Sequence, residues 1–244
     1  MSIIGQTISA IIVEESERFY FLQKGEDLLR LDKTEGEHTV GDVVTGFVYV
    51  DKDDHRRLTT LEQKATNEHY GWGTVTAVRK DLGAFVDTGL PGKDVVVSLD
   101  DLPLEKDQWP KVGDQLYVKL IIDRKERIWG HLAWHEDFWN LAGPGYDNMQ
   151  NQDLRAIVYR NKESGTFVYL PDNNMLGFIH PNERFSVPRV GHLSQIKSLL
   201  VLQKVEPYTK NIHLQILLFL LPLFLLHFVC LVKYYSIAQK KVAN

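Results

Sequence analysis

One dipeptide recurs at a spacing that sets the architecture. Val-Gly stands at Val40-Gly41, Val112-Gly113 and Val190-Gly191, separated by 72 and then 78 residues. Repetition on this scale means small units built on one plan. After the first Gly, Asp42 leads through Val43, Val44, Phe47, Val48 and Val50 to Asp51; after the second, Asp114 leads through Leu116, Val118, Leu120 and Ile122 to Asp123. Each of these Asp residues lies ten positions after its Gly and opens a short charged stretch, followed by a second apolar run from Leu58 or Ile128. Alternating apolar positions, a polar turn and a second alternating run describe a β-hairpin.

A second shared element precedes the later two copies. Leu82-Gly83-Ala84-Phe85-Val86 matches Ser164-Gly165-Thr166-Phe167-Val168, and each follows a strand-like run. The middle unit therefore reads as five strands, near 73–79, 83–88, 94–98, 115–122 and 127–132. So short a sheet is best closed into a Greek-key barrel, because closure removes its exposed edges. Five segments follow: a divergent barrel at 1–61, a barrel at 71–132, a helical linker at 133–153 (helix from Trp134 to Leu141), a partial barrel at 154–191 and an atypical tail at 192–244. The expected fold is all-β: tandem five-stranded barrels, the third incomplete with three strands, and a hydrophobic helix-like tail.

Catalytic signatures are missing from the sequence. There is no phosphate loop and no Gly-x-Ser-x-Gly elbow, and Gly71-Trp72-Gly73 is a lone Gly-x-Gly. His131 and His135 have ligand-like spacing but no further His nearby, and Asp51, Asp53 and Asp54 lack the Gly and terminal Glu of a calcium loop. No enzyme, metal, cofactor or small-molecule substrate is expected. The lone cysteine, Cys230, excludes an internal disulfide framework. Ile3, Ile4 and Ile8 run straight into Glu14, Glu15 and Glu17, unlike a signal peptide, so the expected compartment is the cytosol.

In the third unit, Phe167 and Tyr169 alternate with Val168, and Phe178 shares a face with His180. Two readings fit these rings. Pointing outward near Arg160, Lys162 and Arg184, they would stack on unpaired bases while the cations track phosphates. Pointing inward, Phe167 and Phe178 would fill the barrel.

The order Gly-x-Phe-Val, Gly-Phe-Ile-His-x-x-Glu, Val-Gly resembles the RNA-binding repeat of ribosomal protein S1. Three such repeats, with Gly89-Leu90-Pro91-Gly92-Lys93-Asp94 in the second, are similar to the conserved virulence factor B family of bacterial tandem S1-type proteins. The resemblance covers residues 1–191. It implies OB-type barrels, single-stranded RNA as partner and post-transcriptional regulation. It further implies RNA contact by Phe167, Phe178, His180 and Arg184; Tyr169, Arg160 and Lys162 join them on the outward reading of the alternation. In the second repeat Phe85 matches, and Trp72, Arg79 and Lys80 are candidate contributors. The first repeat lacks the Gly-Phe-Ile-His element and is expected only to pack against its neighbour.

Charge follows the same ranking. Residues 154–191 sum to +2, against −6 for 1–70 and −5 for 71–153, and a nucleic-acid footprint is locally basic. The competing reading is a protein-interaction scaffold held to a membrane by the tail. Residues 211–232 carry no charge and 17 of the 22 are apolar, a length of roughly 33 Å that would span a bilayer. Val201 stands where a third Asp belongs. A truncation or shifted reading frame beyond Gly191 accounts best for that break, ahead of a genuine anchor and of divergent strands.

Overall fold

In a computed structural model the chain is described over residues 2–143, 153–196 and 200–202. The first unit comprises β1 (Thr7–Glu15), β2 (Phe19–Lys24), β3 (Asp27–Asp32), β4 (Val43–Val50) and β5 (Arg56–Thr59), closed in the order β1-β2-β3-β5-β4. The second comprises β6 (Gly71–Arg79), β7 (Gly83–Asp87), β8 (Val95–Ser98), β9 (Gln115–Ile122) and β10 (Ile128–Leu132), closed in the order β10-β8-β7-β6-β9. Then come α1 (His135–Leu141), β11 (Leu154–Lys162), β12 (Gly165–Leu170), β13 (Met175–Ile179), β14 (Leu193–Ile196) and β15 (Leu200–Leu202). The last five strands form an open sheet, β14-β11-β12-β13-β15.

The Val-Gly repeat has one structural cause. Gly41, Gly113 and Gly191 take φ of +100°, +91° and +82°, a region that side chains disfavour. Each Gly donates its N–H to the carbonyl of a residue on the unit's first strand: Ile12, Val75 or Val158, at 2.8, 2.8 and 2.7 Å. Those residues donate back to the carbonyls of Asp42, Asp114 and His192. This reciprocal clamp ties the fourth strand to the first, and in all three units it sits beside a β-bulge in the first strand.

The closed units share a second device. The Asp51 carboxylate accepts the N–H groups of Asp53 and His55, and the Asp123 carboxylate accepts those of Lys125 and Arg127, each closing the hairpin to the last strand. In the third unit Val201 stands at that place, so the sequence offers no carboxylate for such a turn. Its β15 runs antiparallel to β13, whereas β5 and β10 run parallel to β3 and β8, and the β14–β15 seam is unpaired among the described residues.

Two expectations change here. The third unit has five strands rather than three, because the backbone of 193–196 pairs with 154–157 and that of 200–202 with 176–178. The barrel pattern thus runs past Gly191, where a frame change was expected, and divergent strands describe 193–202. The apolar segment 211–232 lies outside the described residues, and among the described residues no helix is long and apolar enough to cross a membrane.

The interiors follow the alternation. Ile12, Leu22, Leu29, Leu31, Val48 and Leu58 fill the first barrel; Val75, Val86, Val97, Leu116, Val118 and Leu120 fill the second. Leu154, Ala156, Val158, Val168, Leu170, Met175 and Ile179 form the inner face of the third sheet. Arg189 and Asp114, paired through two bonds at 2.6 and 3.0 Å, tie that sheet to the second barrel.

Candidate nucleic-acid interface

Strand register makes the three units comparable residue by residue. One step past the bulge, a phenylalanine occupies the second strand of every unit: Phe21 opposite Glu14, Phe85 opposite Ala77, Phe167 opposite Arg160. Across the third strand these rings face Arg30, Val96 and Phe178. In the closed barrels the row continues to Arg57 and to Trp129. Residues paired in this way share a face, and the strand neighbours of each phenylalanine belong to the interior. All three rows therefore point out of their barrels.

Their surroundings differ. In the first barrel Phe19 and Phe21 are half-exposed. The guanidinium carbons of Arg18 and Arg57 lie 5.0 and 5.1 Å from the Phe19 ring centroid, and that of Arg30 lies 5.9 Å from Phe21. Asp32 takes both Arg18 (3.3 Å) and Arg57 (3.4 Å), whereas Arg30 has no carboxylate partner among the described residues. Backbone and hydroxyl bonds from Thr34, with the Arg18 charge, outweigh burial and hold the Asp32 carboxyl below its ordinary value.

The second barrel's row is more apolar. Phe85, Val96 and Trp129 are half-exposed and Ala77 is exposed. Arg127 sits 5.3 Å from the Trp129 ring and is paired with Asp123 at 2.6 Å. Burial would raise the Asp123 carboxyl, but bonds from Arg127, Trp129 and Lys125 hold it far below the usual range. Lys80 is exposed in the turn between β6 and β7.

The third row is covered, and by an element the chain itself supplies. The Asp137 carboxylate accepts the Trp134 backbone N–H at 2.8 Å and starts α1; Gly143-Pro144 follow its end. His135 and Phe138, three apart, face the sheet. The Phe138 ring stacks on Tyr159 at 4.1 Å, and the His135 ring meets Phe167 edge-on at 5.4 Å. The His135 Nδ1 lies 2.7 Å from the Tyr159 hydroxyl. Trp72 and Tyr117 of the second barrel close the cluster against Phe138, with Trp72 also 5.4 Å from Tyr169.

Phe167, Phe178 and Tyr169 are accordingly 2 %, 1 % and 6 % exposed. The expected base stacking on these three rings is corrected: they share the sheet's outward face, but His135 packs on Phe167, Trp72 and Phe138 pack on Tyr169, and Phe178 is buried against Phe167. Trp72 is half-buried and packs in this cluster, with one side against Tyr117, Phe138 and Tyr169. Gly165 is small for the same reason, since a Cβ at its φ of +147° would run into the Phe178 ring. Arg184 donates to the hydroxyl of Thr166, a fully buried residue on the inner face, and so stands apart from the outward row. His180 is half-exposed and accepts the Asn182 N–H at 3.3 Å. Arg160 and Lys162 do lie on the outward face, the first 5.0 Å from the Trp134 ring and the second 5.5 Å from Phe167.

Sequence reasoning missed Phe19, Phe21, Arg30, Trp129 and Trp134. The alternation of Phe19 and Phe21 with buried Tyr20 and Leu22 carried the signal for the first pair. Asp51, Asp53 and His55 place three ligand-type atoms within 4.8 Å, but the Asp51 carboxylate is already committed to the turn.

Barrels with this strand order and an outward ring on the second strand of each unit define tandem S1/OB-fold proteins, and the repeats are consistent with single-stranded nucleic-acid binding. Three domain families match in succession: an S1 domain at 4–61, the CvfB first S1-like domain at 70–131, and the second domain of virulence regulatory factor CvfB at 138–199. The chain is 53 % identical to a multidomain protein with nucleic acid binding domains from Streptococcus pneumoniae, known from its crystal structure. That alignment has a TM-score of 0.78 and covers 89 % of this chain and 80 % of the other. It is 34 % identical over 189 residues to the Bacillus subtilis protein YitL, and 33 % identical over 162 residues to Staphylococcus aureus conserved virulence factor B. Those alignments take in 77 % and 66 % of this chain, and 63 % and 53 % of the relatives' own length. The chain belongs to the CvfB family of tandem S1/OB-fold proteins.

Proposed function

We propose that the chain is a bacterial, cytosolic single-stranded RNA-binding protein acting in post-transcriptional regulation, and that it holds RNA on the open outward rows of its first two barrels and on the cations at the edge of the third. One observation carries this: the same register position holds an accessible ring in both closed barrels, Phe21 and Phe85, each within a row that includes a cation or an indole. Open aromatic faces accept splayed bases, and Arg30, Lys80, Arg160 and Lys162 supply phosphate contacts. His180 and Arg184 border the third sheet and are candidates for a contact beyond its covered row. The relatives' names, a virulence regulatory factor and a protein with nucleic acid binding domains, support the same class.

The test is titration of labelled single-stranded RNA. Each stacked base contributes about 1–3 kcal/mol, so Phe21→Ala with Phe85→Ala should weaken binding at least about tenfold. Added salt should weaken binding of the wild type. Unchanged affinity in a folded double variant removes the row from the account, and a salt-independent affinity points to a peptide partner.

A further inference from the structure

Resting on that reading, we propose that Trp134 is a further base-stacking residue, offered by α1 above the covered third row and flanked by Arg160 and Lys162 as the phosphate contacts. The ligand is a single unpaired nucleotide within a longer strand.

Trp134 is the N-cap of the helix whose His135 packs on Phe167, and Trp134 is 50 % exposed. Arg160 occupies the position after the bulge, opposite Phe167, and stands 5.0 Å from the Trp134 ring. Lys162 follows two residues on, along the same face of β11. A guanidinium against an indole fixes the ring's orientation and leaves the remaining surface for a base.

Most arginines beside the other rows are paired, Arg30 excepted, and this edge differs in holding two adjacent cations unpaired among the described residues. Arg18, Arg57 and Arg127 are each bound to an aspartate. Arg160 and Lys162 have no carboxylate within 4.0 Å among the described residues. A phosphate meeting a paired cation must displace its partner; here it meets none. The edge also lies in the net-basic stretch 154–191.

The indole is dispensable for starting the helix. The bond that does so runs from the Trp134 backbone N–H to the Asp137 carboxylate, and any residue but proline can make it. Trp134→Ala is therefore a variant in which stacking is lost and the fold kept.

Fluorescence anisotropy with a labelled, unstructured oligoadenylate tests this on the full chain. Trp134→Ala should weaken binding at least about fivefold, and Trp134→Phe should retain most of the affinity. Arg160→Gln with Lys162→Gln should lower the salt slope by about 0.7 for each cation removed. If Trp134→Ala binds as the wild type does while Phe21→Ala/Phe85→Ala is impaired, the Trp134 site is overturned and the RNA-binding reading stands. If the wild type itself does not bind, both are overturned. Should Trp134→Ala fail to fold, Trp134→Leu takes its place with the same two outcomes, and an unchanged salt slope for the cation pair also overturns the site.

Discussion

The second barrel and the third sheet carry the same row in opposite circumstances. Both have a bulge in their first strand, a phenylalanine one step beyond it and an apolar partner across the next strand. Phe85 is half-exposed, whereas Phe167 is 2 % exposed. The difference lies in α1, which follows the second barrel and lays His135 and Phe138 over the third row. Strand register decides which way a side chain leaves its barrel. Whether solvent or RNA reaches it depends on what the chain places on top.

The contrast can be broken most forcefully at Phe138. This ring is 2 % exposed and packs against Tyr159, Tyr117, Trp72 and Tyr169. Phe138→Ala should lower stability by about 3–5 kcal/mol, read as a fall in the urea midpoint. A loss below about 0.5 kcal/mol, the scale of surface changes, would mean that α1 is not anchored as described.

A smaller effect is expected from acid. Burial holds the His135 imidazole below its ordinary value of 6.5; the Lys162 and Arg160 charges push the same way, and Glu136 partly opposes them. Its Nδ1 faces the Tyr159 hydroxyl, whose own ionisation burial pushes upward. The unfolded chain therefore takes up the proton first as pH falls. The stability gained from burying a neutral His135 is complete above about pH 6.5 and declines below it, levelling off under the folded-state value. The urea midpoint of wild type minus that of His135→Gln should show this decline between neutral and acidic pH; a flat difference would contradict the buried, neutral assignment.

The smallest stability effect should come from the open side of the comparison. Phe85→Ala removes a half-exposed ring and should cost under about 1 kcal/mol of stability while reducing RNA affinity. A large stability loss would place Phe85 in the core instead.

Much of this arrangement was legible from residues alone. Val-Gly followed after ten residues by Asp marks the clamp and the hairpin turn, and the structure shows why each is needed: a positive φ at Gly41 and Gly113, and a carboxylate that caps its own turn at Asp51 and Asp123. The outward direction of Phe167 was also visible as alternation with Val168. Its cover was not, because local pattern does not say which surface an intervening helix will occupy. Strands 193–196 and 200–202 escaped notice because they are short and lack a turn signal, and because backbone pairing with β11 and β13 defines them. The first barrel's row was overlooked because Phe19 stands where the later repeats have Gly83 and Gly165. A search for Gly-x-Phe passes over it.

Photo-crosslinking of thiouridine-substituted single-stranded RNA, with adducts mapped by mass spectrometry, tests the division between open and covered rows most directly. Adducts on Phe21, Phe85 and the neighbourhood of Trp134, with none on Phe167 or Phe178, are the predicted result. Adducts on Phe167 or Phe178, with the open rows unmodified, would contradict it.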